Sequence, residues 1–202
     1  MNFLSRISLL SLFICFICCN KVVKDSKNED QNISIYGDYF ESKEASKLNE
    51  LGVELSKKGD YDNGKLAFMK SLEIEPNNPT TLSNIGLNRF LVYDYDSAIE
   101  YYQKSYRNSD STYHISAINM GLTYYYMKEF QKGIDITSYV IKKDTTEVLL
   151  SNAYVHRALN YIGNNNCERA KSDLEFIIQN FRGIGRTEFH IQDLKEKLEE
   201  CE

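Results

Sequence analysis

The spacing of histidine, cysteine and carboxylate residues decides first what chemistry this chain can do. His114, His156 and His190 stand alone in three different segments, and no two share the i, i+4 spacing by which a helix presents paired metal ligands. They are expected to be surface or packed residues. After the leader described below there is no glycine-rich phosphate loop, no nucleophile elbow and no cysteine pair at zinc spacing. The acidic residues fall at helix positions expected to face solvent, where a carboxylate is solvated rather than poised as a general acid or base. The chain therefore reads as having no catalytic residue, no metal and no cofactor. An enzyme site assembled from sequence-distant residues, or an accessory subunit of an envelope complex, is the alternative.

Three of the five cysteines, Cys15, Cys18 and Cys19, close an apolar run at the start of the chain. One positive charge, Arg6, precedes residues 7–18, which are apolar apart from two serines, and this is the profile of an export signal. A membrane-spanning helix needs about 20 apolar residues, and Asn20, Lys21 and Lys24 end the run sooner. Residues 16–19 (FICC) resemble the lipobox of bacterial lipoproteins, with Phe16 and Ile17 standing where that pattern prefers Leu and Ala or Ser. The resemblance implies removal of a signal peptide over residues 1–19 with lipidation at Cys19. Two acyl chains, such as palmitate, hold a protein stably on a membrane. It further implies an exported protein on the bacterial cell envelope, at the outer membrane or the periplasmic face.

Residues 20–43 read as a flexible tether, since 20–32 (NKVVKDSKNEDQN) contain only two apolar residues and could not offset the entropy of ordering. The remaining cysteines, Cys167 and Cys201, are two in number and 34 residues apart. An oxidising compartment favours a disulfide between them. Equivalent points on stacked helices lie ~10 Å apart, whereas a disulfide wants its Cα atoms within ~7 Å, so two independent small hydrophobes are the other reading.

The elements that position these residues are legible as a repeat. The 202 residues are 42% hydrophobic, with 15 Tyr and only two Pro, which suits one helix-rich domain with a core. The formal charge of -5 comes without a basic block, so nucleic acid is not an expected partner. Leu51-Gly52 recurs as Ile85-Gly86 and then Met120-Gly121; Tyr61 recurs as Tyr95 and Phe130, Phe68 as Tyr102, and Ser71 as Ser105. Small residues (Gly52, Gly86, Gly121, Ala158; Gly64, Ala98, Gly133, Ala170) alternate with turn chemistry at Lys58-Gly59-Asp60, Tyr93-Asp94-Tyr95 and Gly163-Asn164-Asn165. Units are expected at 45–78, 79–113, 114–147 and 151–184. A charged helix from about Thr187 carries Phe189, Leu194, Leu198 and Cys201 as the stripe that caps the last unit within residues 185–202.

The first unit, with Leu51-Gly52, Gly59-Asp60-Tyr61, Phe68, Ser71-Leu72 and Pro76, resembles the tetratricopeptide repeat. The resemblance implies an all-α solenoid of about four helical hairpins plus a C-terminal capping helix, spanning 44–184 and the cap. It also implies that the first helix of each hairpin lines a concave groove for a partner protein. The corresponding positions are Leu87, Phe90, Leu91, Ile115, Ile118, Leu122, Tyr125, Tyr126, Leu159 and Ile162, together with polar places such as Asn49, although many of these could equally pack inside the superhelix. Of the residues with which chaperone-binding members grip a C-terminal carboxylate, only Asn84 is kept, so that ligand is not expected. The apolar stretch 33–40 could fold back over exposed hydrophobic surface. The reading is of a non-catalytic protein-interaction scaffold tethered to the envelope. A homo-oligomeric structural lipoprotein, dimerising through the cap or the first unit, is a further alternative.

Overall fold

A computed structural model describes residues 40–144, 146–184 and 186–201. The leader, Cys19, the tether and most of the 33–40 stretch lie outside the described residues. Among the described residues nine helices follow one another: α1 Lys43–Lys57, α2 Tyr61–Ile74, α3 Pro79–Leu91, α4 Tyr95–Asn108, α5 His114–Tyr126, α6 Phe130–Lys143, α7 Glu147–Gly163, α8 Cys167–Asn180 and α9 Thr187–Glu199. There is no strand among the described residues. Each odd helix packs antiparallel on the even helix after it, each even helix on the next odd one, and α3, α5 and α7 also touch in series.

Local chemistry explains the boundaries. Ser42, Asp60, Asn78, Asp94 and Asn166 each accept an amide hydrogen from the third residue on, satisfying a donor that the first helical turn leaves open. Pro79 occupies a first-turn position where its missing N–H is harmless. All four hairpin turns reverse through one left-handed residue at the same place, seven after the small residue of the preceding helix: Gly59 (φ 83), Tyr93 (φ 64), Lys128 (φ 60) and Asn165 (φ 54). Only the first is a glycine.

Close approach of the paired helices also repeats. A Cβ placed on Gly52 would lie 2.5 Å from the Phe68 ring, and one on Gly86 would lie 2.6 Å from the Tyr102 ring. Each ring sits sixteen residues after its glycine and is buried, Phe68 at 0% and Tyr102 at 1% exposure. Burying such a side chain stabilises by roughly 1.5–3 kcal/mol. Polar clasps join successive hairpins. Ser71 Oγ donates to the Ala45 carbonyl and shares a hydrogen with Thr81 at 3.2 Å; thirty-four residues on, Ser105 Oγ donates to the Pro79 carbonyl and shares one with Ser116 at 2.7 Å. Asn88 and Asn160 reach the preceding hairpin likewise, through Ser56 and Tyr61 and through the Gly121 carbonyl.

Two expectations need correction. α7 begins at Glu147 rather than near 151, because Asp144 leaves α6 in extended conformation and accepts the Thr146 amide, so the next helix starts at once. In α9 the buried face is Thr187, Ile191 and Leu194 with Leu198 half-buried, which is true helical spacing. Phe189 falls off that stripe and is 48% exposed.

Candidate functional site

The concave-face residues divide into two sets. Leu87, Phe90, Leu91, Ile118 and Leu159 are all 8% exposed or less and form part of the core. This corrects their assignment to a partner groove: Leu87, Phe90, Leu91 and Ile118 belong to one buried core cluster and Leu159 to another. Ile115, Leu122, Tyr125, Tyr126 and Ile162 are half-buried, packed on the core with one side open. Ile191 and Leu194 of α9 belong to the same apolar cluster as Leu159, against which Leu122, Tyr125 and Ile162 pack, so the cap narrows the groove at its C-terminal end.

At the turn end of hairpins two and three the aromatic rings run together. Tyr93 lies edge-on to Tyr95 at 6.3 Å, Tyr95 stacks on Tyr126 at 5.8 Å, and Tyr126 meets Tyr125 at 5.4 Å, which meets Phe130 at 6.1 Å; Phe90 backs the row from the core, 5.4 Å from Tyr126. Ring pairs at such separations hold one another in place. Burial pushes the Tyr126 hydroxyl up to about 12, and raises Tyr95 and Tyr125 in the same direction, so these phenols stay protonated hydrogen-bond donors. Tyr93 is 63% exposed. Sequence reasoning missed Tyr93, Tyr95 and Phe130 as surface elements; the signal was a tyrosine at the turn position that Gly59 fills in the first hairpin.

The titratable residues are structural ties. His114 Nδ1 meets Asp144 Oδ2 at 2.6 Å, and Asp144 also accepts the Thr146 amide at 2.7 Å, pinning the start of α5 to the α6–α7 junction. Burial alone would raise the Asp144 carboxyl, but the Thr146 and His114 bonds outweigh it and hold it low. His156 is buried and its Nδ1 lies 3.0 Å from the Ile118 carbonyl; burial drives it down to about 4 and so keeps it neutral. Asp173, expected to face solvent, is instead 5% exposed because Arg157 grips it. Asn84, the one retained carboxylate-clamp residue, spends an amide hydrogen on Asn49 at 2.9 Å. Cys167 and Cys201 are joined in a disulfide, with Cα atoms 5.8 Å apart, which is inside the range that stacked helices alone would exceed because Cys201 sits beyond the end of α9. Among the described residues no three His, Cys, Asp or Glu are grouped to hold a metal ion, and no helix is long and apolar enough to cross a membrane.

This succession of hairpins defines an all-α solenoid of the tetratricopeptide type, and comparison with known proteins agrees. Residues 48–78 match the family model of the tetratricopeptide repeat. A double mutant of MamA RS-1 superposes with a TM-score of 0.60 at 13% identity, covering 79% of this chain and 95% of that one. MamA from Desulfovibrio magneticus RS-1, from residue 41 to its end, gives 0.60 at 14%, with 79% and 90% covered. A tetratricopeptide repeat protein from Parabacteroides merdae gives 0.58 at 16%, with 79% and 64% covered. In sequence, 86 residues are 28% identical to RNA polymerase-associated protein CTR9 of Caenorhabditis elegans, a stretch that is 41% of this chain and 7% of that protein. The chain thus carries a segment that matches the tetratricopeptide repeat within a fold of that type.

Proposed function

We propose that this protein is a non-catalytic scaffold, held on a bacterial envelope by a lipid on Cys19, that seats a peptide or helix of a partner protein against the row Tyr93–Tyr95–Tyr126–Tyr125. The observation that carries the reading is Tyr93 itself. A non-glycine residue with φ of 64 is disfavoured by roughly 1 kcal/mol, and the ring placed there is largely exposed. Stability alone favours glycine at this turn, as at Gly59. Lys128 and Asn165 hold the same left-handed place in the later turns, so what sets this turn apart is its exposed ring, and tyrosines are favoured at binding hot spots because they offer large area at low entropic cost. The half-buried Ile115, Leu122 and Ile162 extend the apolar surface along the stack. The apolar leader ending in Cys19 and the charged tether after it support the envelope location.

Replacing Tyr93 with Gly separates binding from folding. The variant should be as stable as the parent or up to ~1 kcal/mol more stable, while partner capture by a photo-crosslinker placed at Tyr126 falls at least about tenfold, the loss that a hot spot carries. A crosslinker at Leu66, exposed on α2, should not capture the same protein. Equal capture from Leu66, or undiminished capture by the Tyr93→Gly variant, would overturn the assignment of this surface. Mass spectrometry of the mature N-terminus tests the lipid: a free, unacylated Cys19 or an intact leader refutes it.

A further inference from the structure

The first helix of a stacked series has a face that no earlier hairpin covers. In α3 and α5 that face carries Ile85 and Met120, 0% and 4% exposed beneath the preceding even helix. Their counterpart in α1 is Leu51, and it is 45% exposed. Leu48 and Leu55 flank it in the same stripe and are half-buried, whereas Leu82 and Ala117, the counterparts of Leu48, are buried. Leu48 and Leu51 therefore lack the hairpin that their counterparts have, while Leu55 is half-buried as its counterparts Arg89 and Tyr124 are.

We propose that residues 33–39 (ISIYGDY), which lie outside the described residues, run back along this stripe and close the N-terminal end of the stack. Three observations choose this segment over any other occupant. Its place in the chain is that of a missing even helix: in the later units the connectors between an even helix and the next odd one are 75–78, 109–113 and 144–146, and residues 40–42 form a connector of the same kind before α1. Its composition fits, because Ile33, Ile35, Tyr36 and Tyr39 are apolar or aromatic while residues 20–32 offer only Val22 and Val23. Its end is already held at the right spot. The Ser42 amide donates to the Glu75 carboxylate at 2.6 Å, and Phe40 is half-buried, so the chain arrives against the first hairpin rather than away from it. Reach is sufficient: seven extended residues span ~24 Å, and the fifteen residues of α1 rise ~22 Å.

The inference is independent of the partner surface and of the lipid. It is tested by thermal unfolding of the full chain in detergent carrying Tyr36→Ser, Leu51→Ser, or both, with Leu66→Ser as an exposed control on α2. Each of the first two should lower Tm by about 3 °C, in keeping with a modest loss in a chain of this size, and the double variant should fall no further than the larger single effect, since the two side chains share one contact. Tyr36→Ser combined with Leu66→Ser should be additive. An unchanged Tm for Tyr36→Ser, or additivity between Tyr36→Ser and Leu51→Ser, overturns the proposal. So does a Tm that rises with protein concentration and loses that dependence on Leu51→Ser, because the stripe would then be covered by a second copy.

Discussion

Arg157 holds both oxygens of Asp173 with one edge of its guanidinium, Nε to Oδ2 at 2.8 Å and Nη2 to Oδ1 at 2.6 Å, in the one hairpin where an arginine replaces the apolar member of the apolar-glycine pair. The Arg157 side chain also lies 4.9 Å from the Tyr154 ring centre and donates to Ser138 Oγ at 3.3 Å. Removing one partner leaves a buried charge unpaired, so Asp173→Ala should cost about 3–5 kcal/mol in denaturant unfolding. Replacing both, as Arg157→Met with Asp173→Leu, should recover most of that loss. Equal destabilisation by the single and double variants would contradict a buried pair.

Gly86 faces the Tyr102 ring so closely that a methyl group must displace it. Gly86→Ala should therefore destabilise by about 1–3 kcal/mol through overpacking, although alanine is the better helix former. Adding Tyr102→Leu, which vacates the ring, should make the alanine tolerable. Urea midpoints of the two singles and the double form the cycle that checks this.

His156 predicts a loss of stability in mild acid. Its folded pKa of about 4 lies below the ordinary 6.5, so between those values the unfolded chain binds a proton that the folded chain refuses. Stability is then complete above pH 6.5 and falls as pH drops toward 4, by roughly 3 kcal/mol for this group alone. Burial lowers His190 in the same direction and adds to the trend. Asp144, held low, contributes only below the ordinary carboxylate range. His156→Gln should flatten the Tm profile between pH 6.5 and 4.

Reduction of the Cys167–Cys201 bond should loosen α9 from α8. A disulfide closing a loop of this length contributes on the order of 2–4 kcal/mol, so Tm should drop by several degrees in reductant. The Cys167→Ser, Cys201→Ser double variant should start at the lower Tm and ignore reductant. Intact mass before and after reduction checks that both thiols are engaged.

The period, the hairpins and the capping helix were readable because glycine-ring contacts and helix caps are local and recur at a fixed spacing. Ser71 and Ser105 show the gain: their thirty-four-residue recurrence is the same clasp made twice. The groove was less readable. Leu87 and Leu122 are the same residue at equivalent positions of successive units, yet one is core and the other half-open, a difference that depends on side chains brought in from other helices and not on the local pattern. Asp173 was misjudged for a related reason, since its arginine lies sixteen residues away on another helix. Tyr93 was overlooked because the turn was read for its reversal and not for the ring standing in the place of Gly59.

A final consequence concerns force. In a stack whose units touch only their neighbours, a pull between the chain ends unravels hairpins one after another, each residue adding ~3.4 Å of contour. The stretch between Cys167 and Cys201 cannot join that extension. Roughly 110 Å of chain is withheld, and α8 with α9 remains a closed loop after the earlier helices are drawn out.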